Sequence, residues 1–150
     1  MSAAELEALR RHFRDPSSEC DVGPGWRSLV LRCHEAVVAE FPEYELRAVK
    51  QKFAALAFQA SPRPWKQGGD WTQGEADRLR TLVAGFTAAS ERTCERCGEA
   101  GTLRETRWIE LTLCAACESV VGRDGRLRPP AQRSRKRGSG HVVTGSPNAE

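Results

Sequence analysis

No apolar stretch in this sequence approaches the roughly 18 residues that a membrane-spanning helix needs. The opening "MSAAELEALRRHF" scatters charges where a secretory signal would place an apolar centre. The expected location is therefore the cytoplasm, where thiols stay reduced. Also missing are G-x-S-x-G, a P-loop, G-x-G-x-x-G and HExxH. His12, His34 and His141 have no nucleophile beside them in the sequence, and the carboxylates are spread as surface charge. Nothing here marks an enzyme, and a non-enzymatic role is expected. From Gly122 onward apolar residues almost disappear, which leaves little to offset ordering entropy. Lysine is scarce too, with 4 against 19 arginines.

What is present is 150 residues, enough for a modest core, with 29% charged residues and a net charge of +3. That charge is unevenly placed. Residues 1–90 carry 12 basic and 12 acidic side chains, residues 91–118 carry 4 and 6, and residues 119–150 carry 7 and 2. The basic character belongs to the C-terminal segment.

Leu6, Leu9 and Phe13 recur at helical spacing and predict a helix over residues 3–14. "DPSSECDVGPG" (15–25) breaks it. The clearest helix is 26–40, with Trp26, Leu29, Val30, Cys33 and Val37 on one stripe and Phe41-Pro42 at its end. Residues 43–60 read two ways. Leu46, Val49, Phe53 and Leu56 have helical spacing, whereas two short strands bending near Ala54-Ala55 would also fit. "SPRPWKQGGDW" (61–71) is a loop. Thr72 and Glu75 match a capping box, opening a helix to about Arg92 that buries Leu79, Leu82, Val83 and Phe86. Residues 101–113 predict a short hairpin in which Ile109, Leu111 and Leu113 alternate with Glu110 and Thr112, and a helical turn follows Cys117.

Four of the six cysteines stand as two CxxC pairs, Cys94/Cys97 and Cys114/Cys117, at either end of that hairpin. Four thiolates at about 2.3 Å from one ion make a closed tetrahedral zinc site. Such a site has no open position for water or substrate, so its expected contribution is structural. A redox reading of the CxxC pairs would want a βαβ setting, which the pattern does not supply. Cys20, Cys33, His12 and His34 are too scattered to predict a second site, and Cys33 lies on an apolar stripe where a buried thiol is ordinary.

The pieces Gly25-Trp26, "VKQKFAALAF" (49–58), "SERTCERCGEAGTLR" (90–104), Trp108 and "TLC" (112–114) give the chain a further likeness. It resembles a group of small zinc-ribbon-containing proteins common in actinobacteria and their phages. The resemblance implies zinc at Cys94, Cys97, Cys114 and Cys117, and a β-hairpin at 49–58 with glycines at its bend, where this chain has Ala54 and Ala55. It implies no activity, and a phage or mobile-element origin is an association only.

The expected fold is α+β: a small mainly helical domain over residues 1–92, a four-cysteine zinc ribbon over 93–121, and a disordered basic tail over 122–150. The expected function is that of a zinc-binding adaptor or regulator with one structural Zn2+ per chain. It would bind a protein partner through Trp65, Trp71 and Trp108, because aromatic side chains anchor interfaces. The alternative is a nucleic-acid-binding protein whose tail neutralises DNA or RNA phosphates through residues 123–137, chiefly Arg126, Arg128, Arg133, Arg135, Lys136 and Arg137.

Overall fold

The computed structural model describes residues 1–66 and 70–127. These form a mixed α+β fold with four α-helices, a three-stranded sheet and a two-stranded sheet. Arg128, Arg133, Arg135, Lys136 and Arg137, with the rest of the expected tail beyond Leu127, lie outside the described residues. Among the described residues no helix is long and apolar enough to cross a membrane.

Helix α1 (Ala3–Arg10) is opened by Ser2 and Glu5, which cap each other's backbone N–H groups. It stops four residues before the expected end at Arg14. Leu46 takes the backbone instead: its N–H donates to the His12 carbonyl at 2.7 Å, and the Arg14 N–H donates to the Leu46 carbonyl at 2.8 Å. Phe13 is buried through this parallel bridge and not through a helical face. The turn-rich segment that follows holds a two-residue strand, β1 (Cys20–Asp21), and then a 3-10 turn at Pro24–Trp26. Helix α2 (Arg27–Glu40) buries the expected stripe, Leu29, Val30, Cys33 and Val37, together with the fully buried Trp26.

Residues 43–60 are a hairpin, which settles the two readings against the helix. Strands β2 (Glu45–Lys52) and β3 (Ala55–Ser61) run antiparallel across a two-residue turn, Phe53-Ala54. Both turn residues have left-handed backbones, with φ of 51° and 60°, as the hairpin's twist requires. The helix-like spacing has a physical origin in two irregularities. A bulge at Arg47 shifts the register between Leu46 and Ala48, so Leu46 and Val49 are both buried although three residues apart. The turn then throws Phe53 out to 78% exposure and restarts the phase at Leu56. With β1 beside β2, the sheet order is β1-β2-β3. Residues 1–92 therefore hold a three-stranded sheet as well as helices, so the helical part is not clearly dominant.

Helix α3 (Gln73–Ser90) begins at the expected Thr72–Glu75 capping box. It buries Leu79, half-buries Leu82, Val83 and Phe86 against the core, and caps β3: the Leu56 N–H donates to Ser90 Oγ at 2.8 Å, and Thr87 Oγ1 donates to the Leu56 carbonyl at 3.0 Å.

Candidate metal centre

Beyond α3 the chain forms a tight loop at Cys94–Gly98, the strands β4 (Thr102–Arg104) and β5 (Leu111–Leu113), and a one-turn helix α4 (Ala115–Glu118). The first loop closes through the Gly98 N–H onto the Cys94 carbonyl at 2.9 Å, and Gly98 takes a φ of +83° that favours glycine. The second cysteine pair is placed by α4. Cys114 is its N-cap, and the Cys117 N–H donates to Cys114 Sγ at 3.4 Å.

The ligand atoms of Cys94, Cys97, Cys114 and Cys117 all lie within 4.8 Å of one another. Sulfurs at the corners of a tetrahedron about 2.3 Å from its centre stand ~3.8 Å apart. Cys97 Sγ and Cys114 Sγ are 3.7 Å apart. None of the six cysteines is in a disulfide. The donor set and its spacing fit one structural metal ion. The thiols differ in acidity: the Cys117 N–H draws Cys114 down to about 7, whereas burial pushes Cys97 up to about 12. A divalent cation at the centre would favour all four thiolates.

The module is buttressed by arginines that the sequence pattern did not single out. Arg107 has its side chain buried and donates to the Val121 carbonyl at 3.0 Å and to the Glu118 carbonyl, holding the chain just after α4. Arg104 pairs with Glu118 at 2.7 Å. Arg96 Nη1 lies 3.4 Å from Cys117 Sγ, where a guanidinium favours a thiolate.

Alternation along β5 fails at Thr112, which is as buried as Leu111 and Leu113, and Ile109 stays 48% exposed ahead of the strand. The reason is the β2–β3 turn. Thr112 Oγ1 donates to the Ala54 carbonyl at 2.8 Å, and Gln51 Nε2 donates to the Glu110 carbonyl at 2.5 Å, so the hairpin tip rests on β5. Glu95 is the other anchor. Its carbonyl accepts the Gly25 N–H at 2.7 Å, its Oε1 accepts the Gly23 N–H at 3.1 Å, and its own N–H donates to the Thr112 carbonyl. Burial, partly opposed by the Gly23 N–H, lifts its carboxyl to about 7. Gly25 sits flush on the first cysteine loop, where a Cβ would stand 2.2 Å from the Cys94 carbonyl oxygen.

The remaining expected site residues are not gathered. Trp108 is 81% exposed on the loop before β5. Trp65 and Trp71 pair edge-on at 4.5 Å in the segment before α3, with Trp65 57% exposed and Trp71 half-buried. Arg126 is exposed beside Asp124. Among the described residues, Cys20, Cys33, His12 and His34 form no second metal cluster. Burial pushes the Cys20 thiol up to about 11 and the Cys33 thiol up to about 12. His12 and His34 meet at Tyr44: His34 Nδ1 and the Tyr44 hydroxyl share a hydrogen bond at 2.5 Å, and His12 stacks on the ring at 4.0 Å. No family model, no curated protein and no solved structure matches the chain.

Proposed function

We propose that the chain is a non-enzymatic zinc-binding adaptor. In this reading one Zn2+ on Cys94, Cys97, Cys114 and Cys117 orders a ribbon, and the ribbon and the hairpin tip together present an apolar surface to a protein partner. The observation that carries it is the exposure of three large apolar side chains on these two parts: Phe53 (78%) at the tip, and Leu103 (50%) and Trp108 (81%) on the module. Leu103 pairs with Thr112 across β4–β5 and so shares the face on which the tip rests. Large apolar groups on hydrogen-bonded supports suit interface anchors, because little freedom is left to lose on binding. A closed four-thiolate site offers no reaction position, in keeping with recognition and not turnover.

The charge distribution weighs against the module itself reading nucleic-acid backbone. Residues 91–118 are net negative, and Arg104 and Arg107 are engaged within the fold. The basic run at 123–137 would add nucleic-acid proximity as a separate contact.

Three experiments test this. Metal analysis should return one zinc per chain, lost on Cys94→Ser, Cys97→Ser, Cys114→Ser or Cys117→Ser and kept on Cys20→Ser or Cys33→Ser. Affinity capture should then yield a partner that is lost with Trp108→Ala and with Phe53→Asp and kept with Cys20→Ser. A complex indifferent to Trp108, Phe53 and zinc would overturn the adaptor reading. Undiminished DNA or RNA binding after deletion of residues 123–150 would move the primary contact into the folded part.

A further inference from the structure

We propose that the groove between β3 and α3 is a second docking site, which takes an extended peptide carrying an acidic residue by adding it as a strand to the free edge of β3. This site lies apart from the four-cysteine module and goes beyond the adaptor reading.

The argument starts from backbone register. The sheet order leaves β3 at an edge. Lys52 pairs with Ala55 across the two-residue turn, and Ala57 and Gln59 pair with Lys50 and Ala48, so these residues of β3 turn their N–H and carbonyl groups towards β2. Leu56, Phe58 and Ala60 turn theirs away. Beyond the bulge Leu46 keeps the same sense, since its own backbone groups go to His12 and Arg14 on the opposite side. Leu56 is capped by Ser90 and Thr87 of α3. On the outward side, Phe58 and Ala60 have no hydrogen bond to another described residue. Strand edges are normally blunted by charge or proline, yet β3 reads "ALAFQAS" and has neither.

Alongside Phe58–Pro62 a cavity of about 600 Å³ opens between the strand and the helix. That lies within the ~300–1,000 Å³ typical of ligand sites. Its helical wall is built from Leu79, Val83, Ala84 and Ala88, small enough to leave room for alternate side chains of an added strand. Two backbone donor–acceptor sets about 6.6 Å apart are what an extended chain offers at every second residue. A second copy is a poor occupant, because α3 stands over the edge at Leu56 in each copy and the two helices would meet.

Charge selects among peptides. Arg47, exposed at the bulge, lines the groove and makes no ion pair with another described residue. Arg80 lines it too, and among the described residues its ion pair is with the exposed Asp77 of its own helix at 3.1 Å. Glu91 lies at the opposite end, next to the Ser90 cap. A carboxylate on the peptide would be favoured beside Arg47 and Arg80.

The test is selection from a displayed random octapeptide library on the full chain, followed by fluorescence polarisation with the selected peptides. The expected pool carries Asp or Glu beside alternating apolar residues. Binding should weaken at least tenfold with Ala60→Pro, which removes an outward N–H and spares the pairing to β2. Arg47→Glu should weaken it similarly, and selection on that variant should switch to Lys or Arg. Trp108→Ala should leave binding unchanged, which separates this site from the adaptor surface. Should Ala60→Pro fail to fold, Val83→Lys, half-buried on the helical wall, gives the same readout. An empty selection, or peptides indifferent to both the edge and the Arg47 variants, would overturn the proposal. So would a concentration-dependent dimer that Ala60→Pro abolishes, which would assign the edge to a second copy.

Discussion

Phe53 pays a conformational penalty for its place at the hairpin tip. Its φ of 51° lies in the left-handed region, its ring is 78% exposed, and Lys52 Nζ hovers 5.8 Å from the ring centre. For an L-residue with a Cβ that conformation is disfavoured by about 1–2 kcal/mol. Asparagine tolerates it, so Phe53→Asn should stabilise the chain by about 1 kcal/mol, read as a higher urea midpoint at unchanged slope. An unchanged or lower midpoint would show that the ring buries more on the surface than its exposure suggests. A second residue-scale expectation concerns His34. Burial first, and then the neighbouring His12, hold its imidazole below the ordinary 6.5, with Glu35 pulling the other way, and Nδ1 shares a hydrogen bond with the Tyr44 hydroxyl. The unfolded chain thus binds a proton that the folded chain resists. The contribution is complete above pH 6.5 and is lost as pH falls below it. The drop in urea midpoint from pH 7 to pH 5 should be smaller in His34→Gln than in the wild type, and equal drops would remove His34 from the acid response.

At the scale of elements, what the sequence made legible is what local chemistry encodes. The Thr72–Glu75 box opens α3 where the motif stands, and the α2 stripe is buried as spaced. The two CxxC pairs announce their cluster because each sits in a short loop whose geometry is local. Thr72→Ala should therefore cost about 1 kcal/mol in unfolding free energy. The Arg63 pair on Glu75, at 2.7 Å, would survive that change. Long-range effects were not legible. The Arg47 bulge and the Phe53-Ala54 turn imitate a helical period, and only the partner strand resolves which is present. The end of α1 depends on Leu46, thirty-odd residues away, capturing His12 and Arg14. Thr112 and Glu95 read as surface residues because the groups that bury them, Ala54 and Gly23, come from distant parts of the chain. The β3 edge was invisible for the same reason, since an unpaired backbone leaves no mark on side-chain pattern.

At the scale of the molecule, the apolar core around Trp26, Leu46 and Leu56 and the small cluster around Cys94, Leu113 and Cys117 share no residue. Hydrogen bonds span the gap. Trp26 Nε1 donates to the Thr93 carbonyl at 2.8 Å, Gly25 and Gly23 donate to Glu95, Thr112 donates to Ala54, and Gln51 donates to Glu110. At a net ~0.5–1.5 kcal/mol each, these bonds couple the four-cysteine module to the rest by several kcal/mol. A small module with one apolar cluster has little else to hold its loops without an ion. Under the zinc reading, chelation should disorder residues 94–117 and leave the helical signal of residues 26–90 at 25 °C, because that core is separate. It should also lower the melting temperature of that remaining part by more than about 10 °C, since each kcal/mol shifts a domain of this size by ~4–8 °C. Gly25→Ala offers the same test without touching a ligand. Its Cβ would meet the Cys94 carbonyl and the Gly98 nitrogen, 2.2 and 2.5 Å away, and the forced separation should cost about 1–3 kcal/mol. A helical part that melts at the same temperature with and without chelator would show that these bonds carry no coupling, and that the module stands alone.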